Sequence, residues 1–334
     1  MRIYAEVCGS LQGCQRFPTS PRARRHLLLC PFPPRLRQQT PTSSLIFRIV
    51  SRSAGARTIT KELVRPCHRK SGSTLCAVAT ACICSRICGV ASIFRSSLAN
   101  QGSPNYFVNL DPANNALDLW QFHVDWTVPR NSTFTGPTII PVAHFNEACL
   151  GGVCVPQRNS TQLLDSLGDR VMYRLSYRNF GSYESLLVTH SVNTNSSVGV
   201  RWYEIRNPEG TPPTLHQQGT YTPDGNFRWM PSIAQDKVGN IAVAYSVSSN
   251  SMYPAIRYTG RLPSDPPGTM ESENSILEGT GAELPGNGRW GDYSAMTVDP
   301  LDDCTFWYTN EYYSVSSLRN WRTRIASFKF PSCQ

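Results

Sequence analysis

Three arginines recur at similar intervals in the second half of the sequence. They are Arg170, Arg228 and Arg289, which lie 58 and 61 residues apart. A guanidinium group holds a carboxylate through two parallel hydrogen bonds, so three converging arginines would suit an anionic ligand. Asp292 and Tyr293 closely follow the last arginine and could complete such a site. The alternative is that an arginine repeated in every unit serves the unit itself, by bridging one strand to its neighbour.

Acidic residues crowd a turn near the end of the sequence, at Asp299, Asp302 and Asp303. Carboxylate oxygens are the ligands that Ca²⁺ prefers, so this turn is a candidate calcium site. The opposing interpretation is a solvated turn, because Asp often begins a turn by accepting hydrogen bonds from its own backbone. No other cofactor is predicted.

Four cysteines lie beyond residue 103, at Cys149, Cys154, Cys304 and Cys333. Their number is even, and a disulfide could close the short glycine-containing loop between the first two. We expect Cys149 to pair with Cys154, and Cys304 to pair with Cys333. Disulfides indicate an oxidising compartment, so the sequence predicts a secreted, extracellular protein. Four reduced, half-buried thiols are the alternative.

Charge divides the chain at about the same place as the cysteines. Residues 1–103 carry 16 Lys and Arg against 2 Asp and Glu, whereas residues 104–334 carry 16 against 21. The formal net charge of +9 therefore averages two unlike segments. Because the second segment is mildly acidic, the overall charge does not indicate a nucleic-acid partner. We also expect no membrane span.

Residues 1–103 show no sustained helical or strand period. They are rich in Arg, Ser, Pro and Cys, and such a composition predicts a disordered leader. Other interpretations are an organelle transit peptide and a secretion or membrane segment over residues 75–94. Cys82, Cys84 and Cys88 could bind a metal, although their spacing matches no paired Cys-x-x-Cys motif. A further possibility is that the start codon is wrongly assigned and the stretch is not natural coding sequence.

The elements that would position the candidate residues are short β-rich runs separated by turns. Each arginine segment begins a unit, and the clearest unit has runs at 227–234, 241–245, 256–260 and 274–280. Four strands per repeated unit are typical of a β-propeller blade. The sequence therefore predicts an all-β, β-propeller-like array over residues 104–334, with two complete and two partial blades.

The two partial blades lie at the ends of the predicted array. The first unit shows runs only for its third and fourth strands, at 117–124 and 137–142, and the last unit has no fourth strand. Propellers protect their edges by closing into a ring. We therefore expect that another chain supplies missing blades, or that the chain is truncated.

Several segments resemble a known group of proteins. They are residues 117–128, 199–206, 289–294 and 302–311. These segments are similar to the C-terminal part of large, secreted, mostly uncharacterised bacterial proteins with sialidase-like propeller repeats. The resemblance covers about residues 104–334. It implies a central mouth with three arginines around a substrate carboxylate, a Tyr nucleophile activated by Glu, and an Asp acid/base. The Ser-x-Asp-x-Gly-x-x-Trp motif of such repeats is absent from the sequence.

Two functions stay open at this stage. The favoured one is a non-catalytic extracellular module that binds protein or glycan, or that supports a larger secreted protein, since repeats and aromatic residues suffice for binding. The alternative is a sialidase-like glycoside hydrolase. A propeller hosts both kinds of function, so the choice depends on the site.

Overall fold

The computed structural model describes residues 91–95, 103–209, 213–286 and 288–334. All of them belong to a compact unit of residues 87–334. The predictions for residues 1–90, including possible metal binding by Cys82, Cys84 and Cys88, concern residues outside the described ranges. Strand β1 (Ala91–Arg95) precedes the boundary at residue 104 that the change in composition predicts.

The described residues form strands, turns and two short 3₁₀ segments at Pro129–Asn131 and Ala148–Gly151. The first sheet continues from β1 with β2 (Asn105–Asp111), β3 (Ala116–His123) and β4 (Thr133–Pro141), and a separate hairpin contains β5 (Val153–Gln157) and β6 (Ser160–Asp165). The second sheet contains β7 (Leu175–Asn179), β8 (Glu184–Asn193), β9 (Val198–Arg206) and β10 (Thr214–Tyr221). The third sheet contains β11 (Phe227–Gln235), β12 (Ile241–Ser249), β13 (Met252–Arg261) and β14 (Asn274–Leu277). The last sheet contains β15 (Ala295–Val298), β16 (Phe306–Tyr312) and β17 (Arg322–Phe328).

The strands follow one another in chain order within each sheet. The second and third sheets are antiparallel meanders of four strands, and the last sheet is a meander of three. β1 pairs antiparallel with β2 and parallel with β7, which joins the first two sheets edge to edge. Successive four-stranded meanders are the blades of a propeller. The predicted all-β, β-propeller-like array is therefore confirmed.

The details of the sheets differ from the sequence prediction. The first sheet contains β1 and β2 before the two predicted strands, so it has four strands where a partial blade was expected, and the β5–β6 hairpin belongs to none of the predicted units. In addition, residues 169–174 and 288–294 are loops that lead into β7 and β15, whereas the segment around Arg228 is a strand. The apolar residues in these segments indicate burial, but they do not show where strand pairing begins. The hydrogen-bonded pairing of β15 with β16 extends over only four residues.

The core lies between successive sheets, because the side chains of a strand alternate between its two faces. In β12, Val243 and Tyr245 pack toward the second sheet, and Ala242 and Ala244 pack toward the last sheet. Burial on both faces explains why the central strand of the third sheet is almost continuously apolar. The sheets thus stack face to face, as blades do.

Two ends of the array matter for function. We call the end at which the innermost strands β7, β11 and β15 begin the N-terminal rim, and the end at which they finish the C-terminal rim. At the C-terminal rim, the buried Arg178 guanidinium donates to both carboxylate oxygens of Asp303, at 2.8 and 2.5 Å. Its Nε also donates to the Gln235 carbonyl at 2.9 Å. One side chain therefore links the second, third and last sheets.

Both predicted disulfides are present. Cys149 bonds to Cys154 beside the β5–β6 hairpin, and Cys304 bonds to Cys333 across 29 residues that include β16 and β17. Within the residues that the structure describes, no helix is long and apolar enough to cross a membrane.

Candidate active site

The loops and strand starts of three sheets converge at the N-terminal rim. Met172 from the loop before β7, Trp229 from β11 and Trp290 from the loop before β15 share one buried cluster. The Trp229 and Trp290 rings lie 5.7 Å apart between centroids, and Tyr313 lies 5.7 Å from Trp290. Residues from distant parts of the sequence are therefore adjacent here, as the repeat predicts.

Arg228 is not available to a ligand. Its side chain is fully buried, and it donates to both oxygens of Asp224 and to both oxygens of Glu273 at distances of 2.7–3.1 Å. Burial alone would lower the pKa of Arg228, but the hydrogen bonds to the two carboxylates raise it. Removal of such a guanidinium would break a buried pair, which is strongly destabilising. Arg228 therefore links the segments before β11 and β14 within its own blade, although its partners do not lie on the neighbouring strand.

Arg170 and Arg289 lie in loops and are partly exposed. Arg170 donates to both oxygens of Asp169, each at 2.8 Å, and it also forms a hydrogen bond with Tyr293. Arg289 forms an ion pair with Asp292, three residues away. Four of the five predicted ligand-binding residues thus lie in loops of the N-terminal rim and are at least partly exposed, whereas Arg228 is buried.

Glu311, which the sequence analysis did not single out, lies beneath this surface group at the end of β16. Its carboxylate is so close to Gly291 that a Cβ built on this glycine would lie 2.6 Å from Oε2. Burial raises the pKa of Glu311 to about 7, the backbone N–H of Gly291 lowers it, and the charge of Asp292 raises it. The two carboxyl groups are therefore electrostatically coupled.

Glu283 is a second acid at this rim, and unlike the half-buried Glu311 it is buried. Its backbone is fixed by Gln157, which donates to its carbonyl and accepts from its N–H at 2.9 Å, and by the Ser160 hydroxyl at 2.7 Å. Its side-chain Oε2 is buried without a hydrogen-bond partner in the described part of the chain. Burial, followed by the charge of Glu311, raises its pKa to about 7. Two protonatable carboxyls near neutrality thus share the rim.

Buried hydrogen bonds hold Trp290 and the end of β16 in place. The Ser246 hydroxyl on β12 accepts from the Trp290 indole and from the Asn310 amide, each at 3.0 Å. Because these residues adjoin Gly291 and Glu311, the third sheet fixes the distance between the loop and the strand end. Rigid support of this kind is what a catalytic group requires.

The arrangement can transfer protons. Glu311 is protonated over part of the neutral range, whereas Asp292 forms an ion pair with Arg289. Two nearby carboxyl groups in different environments can serve as general acid and general base in the same reaction. Tyr293 and Arg170 add donors at the surface where a substrate would bind.

The three carboxylates of the predicted calcium turn have protein partners. Asp299 accepts from the Trp307 indole at 3.0 Å, and Asp302 accepts from the backbone N–H groups of Cys304 and Thr305. Asp303 binds Arg178. Across the described ranges, no group of three His, Cys, Asp or Glu side chains could hold a metal ion. Calcium binding at this turn stays a prediction.

Comparisons with known proteins found distant structural similarity. No protein-family model matches the chain, and no curated protein matches it. One similar solved structure is α-L-arabinofuranosidase from Lactobacillus brevis, with 11% identity and a TM-score of 0.37 over 71% of this chain and 67% of that chain. Another is α-L-arabinanase from Penicillium chrysogenum in complex with arabinobiose, with 10% identity and a TM-score of 0.29 over 72% and 66% of the two chains. Similarity at this level does not extend to function, and the sialidase-like resemblance stays a prediction.

Proposed function

We propose that this chain is a secreted glycoside hydrolase whose site is the carboxyl group pair at the N-terminal rim. The observation that carries the proposal is Glu311, whose pKa is raised to about 7 beside the ion-paired Asp292. Most glycoside hydrolases place one protonated and one ionised carboxyl group on either side of the glycosidic bond. The two disulfides fit an extracellular location.

Each residue has a defined role in the proposed reaction. Glu311 donates its proton to the glycosidic oxygen as the bond from that oxygen to the anomeric carbon breaks. Asp292 accepts a proton from a water molecule, whose oxygen bonds to the anomeric carbon. Proton exchange with solvent then restores both groups. Arg289 holds Asp292 through their ion pair, and Arg170 and Tyr293 contact substrate hydroxyl or carboxylate groups.

The test uses the purified 334-residue chain and a panel of nitrophenyl glycosides of neutral, uronic and sialic sugars. We expect hydrolysis of at least one class. Glu311→Gln and Asp292→Asn should each lower kcat by about 10²- to 10⁴-fold. Glu271→Gln is the matched control, because Glu271 is exposed and distant in sequence from both acids. A folded wild-type protein that hydrolyses no glycoside, or a fully active Glu311→Gln variant, would overturn the proposal.

A second candidate function is non-catalytic glycan binding, and a specific cleft favours it. This cleft of about 310 Å³ is lined by Tyr221 and Met270 together with Thr220, Thr222 and Thr269, above the buried Trp202. An aromatic ring beside hydroxyl groups suits sugar rings, which present both apolar and polar faces. Glycan-array binding that Tyr221→Ala abolishes, without hydrolysis by the wild-type chain, would favour this function over catalysis.

A further inference from the structure

The loop that the Cys149–Cys154 disulfide closes has an unusual backbone. Cys149, Leu150 and Gly151 all have positive φ angles, of 54°, 52° and 81°. Glycine adopts this left-handed conformation readily, but residues with a side chain avoid it. Cys149 and Leu150 therefore need a restraint, and the sulfur bridge over a sequence separation of 5 supplies one.

This loop packs against the segment that ends in Asp169 and Arg170. The Ser166 N–H donates to the Gly152 carbonyl at 3.0 Å, and the Ser166 hydroxyl lies 3.0 Å from the same oxygen. A Cβ built on Gly151 would lie 2.9 Å from the Asp169 Cβ, so the loop touches this aspartate directly. Both carboxylate oxygens of Asp169 accept from the Arg170 guanidinium. The loop therefore fixes Arg170 through Asp169.

The two disulfides differ in their access to solvent. Cys149 and Cys154 are half-buried, and Leu150 between them is 89% exposed. Cys304 and Cys333 are fully buried. Reduction requires a thiolate to reach a sulfur atom of the bond, so an external thiol should open the Cys149–Cys154 bond first.

We propose that the Cys149–Cys154 disulfide is a redox-sensitive switch that positions Arg170, and that an external dithiol opens it. One thiolate of the dithiol attacks a sulfur of the bond, and its second thiol then displaces the protein from the mixed disulfide. The dithiol loses two electrons and two protons and becomes a disulfide, and the two cysteines become thiols. The open loop leaves its left-handed conformation, so Asp169 no longer holds Arg170, whose other partner is Tyr293. The effect on catalysis rests on the proposed function, in which Arg170 contacts the substrate.

The test measures Arg170 itself and does not depend on hydrolysis. The purified chain is treated with increasing dithiothreitol, the freed thiols are alkylated, and phenylglyoxal then labels accessible guanidinium groups. Peptide mass spectrometry gives the labelling rate of each arginine and the state of each disulfide. When only the Cys149–Cys154 bond is open, labelling of Arg170 should accelerate about tenfold, the order expected when one left-handed residue relaxes.

Two double variants provide matched controls that need no reductant. The variant with Cys149→Ser and Cys154→Ser should show the fast labelling of Arg170. The variant with Cys304→Ser and Cys333→Ser keeps the short loop closed, so it should show the slow rate of the wild type.

Arg228 reports whether the fold survives, because its buried side chain should stay unlabelled in every sample. An unchanged Arg170 rate in the open protein would overturn the proposal. So would labelling of Arg228, which would mean that the short bridge supports the whole fold. Reduction of the buried disulfide first, or of both together, would contradict the difference in access. Fast labelling of Arg170 in a chain that hydrolyses no glycoside would overturn the proposed function alone.

Discussion

The two rims of the array use charged residues in different ways. At the C-terminal rim, the buried Arg178 meets the Asp303 carboxylate and a backbone carbonyl, so the charge is matched where the sheets meet. At the N-terminal rim, the buried Glu283 and the half-buried Glu311 form no ion pair in the described residues, and the pKa of each is raised to about 7. The C-terminal rim uses its polar groups to hold the sheets together, whereas the N-terminal rim retains acids that can exchange protons.

Removal of a paired, buried charge should have one of the two largest effects. Arg228→Ala leaves Asp224 without its guanidinium partner and leaves Glu273 with Arg257 as its remaining one, and we expect the free energy of unfolding to fall by about 3 kcal/mol. Chemical denaturation monitored by circular dichroism measures this loss. Arg228→Lys should recover only part of it, because an ammonium group cannot replace the planar fork. Unchanged stability of the Ala variant would contradict the structural role.

Loss of the long disulfide should have an effect of similar size. Replacement of Cys304 and Cys333 by Ser should lower the free energy of unfolding by about 3 to 4 kcal/mol, because the bond closes a loop of 29 residues. The Cys149–Cys154 disulfide closes a loop of only five residues. The matched double substitution Cys149→Ser and Cys154→Ser should therefore lower the free energy of unfolding by about 2 kcal/mol. Equal losses in thermal unfolding of the two double variants would argue against a loop-entropy origin.

The unpaired acids should make stability depend on pH in a defined direction. The pKa of Glu311 rises from its ordinary value of 4.5 to about 7 in the folded chain. Between these values the folded state holds a proton that the unfolded state has released, so the free energy of unfolding should fall as pH rises. The expected decline is on the order of 2 kcal/mol between pH 4.5 and 7.

Denaturation at pH 5 and pH 8 measures that decline. Glu311→Gln should reduce it, because an amide carries no charge at either pH, whereas Glu271→Gln should retain it. Glu283 contributes in the same direction and keeps part of the slope. If the wild type and Glu311→Gln showed identical pH dependence, the two rims would not differ as described.

The surface arginines should have the smallest effect on stability. Arg170→Ala and Arg289→Ala each remove a partly exposed ion pair, and such pairs contribute within about 0.5 kcal/mol. Differential scanning calorimetry should therefore separate these variants from Arg228→Ala. If the three melting temperatures fell equally, the repeated arginines would share a structural role after all.

The sequence was informative about repeats and much less so about burial. Regular spacing predicted the blades, and an even cysteine count with one short loop predicted both disulfides. The same spacing aligned Arg228 with Arg170 and Arg289, yet only Arg228 lies within a strand that buries both of its faces. Local pattern cannot distinguish these positions, because the neighbours that bury Arg228 include Glu273, 45 residues away.

The candidate acids illustrate the same limit. Glu311 lies near the end of β16, after residues that alternate between buried and more exposed positions. From the sequence alone it resembles an ordinary polar residue at the end of a strand. Its pKa is raised because Gly291 approaches from another part of the chain and because burial is set by the meeting of several loops. A long-range approach of this kind leaves no periodic signal in a single sequence.

The bond between Cys304 and Cys333 also determines how the molecule would bear mechanical load. β16 and β17 lie between the two cysteines, so tension applied to the chain after Cys333 passes through the sulfur bridge to Cys304. The force reaches the turn beside Asp303, which Arg178 clamps to two other sheets, and it bypasses the edge strand. While the bridge is intact, the last sheet cannot be unzipped from that end. Reduction would expose β17 to peeling one residue pair at a time.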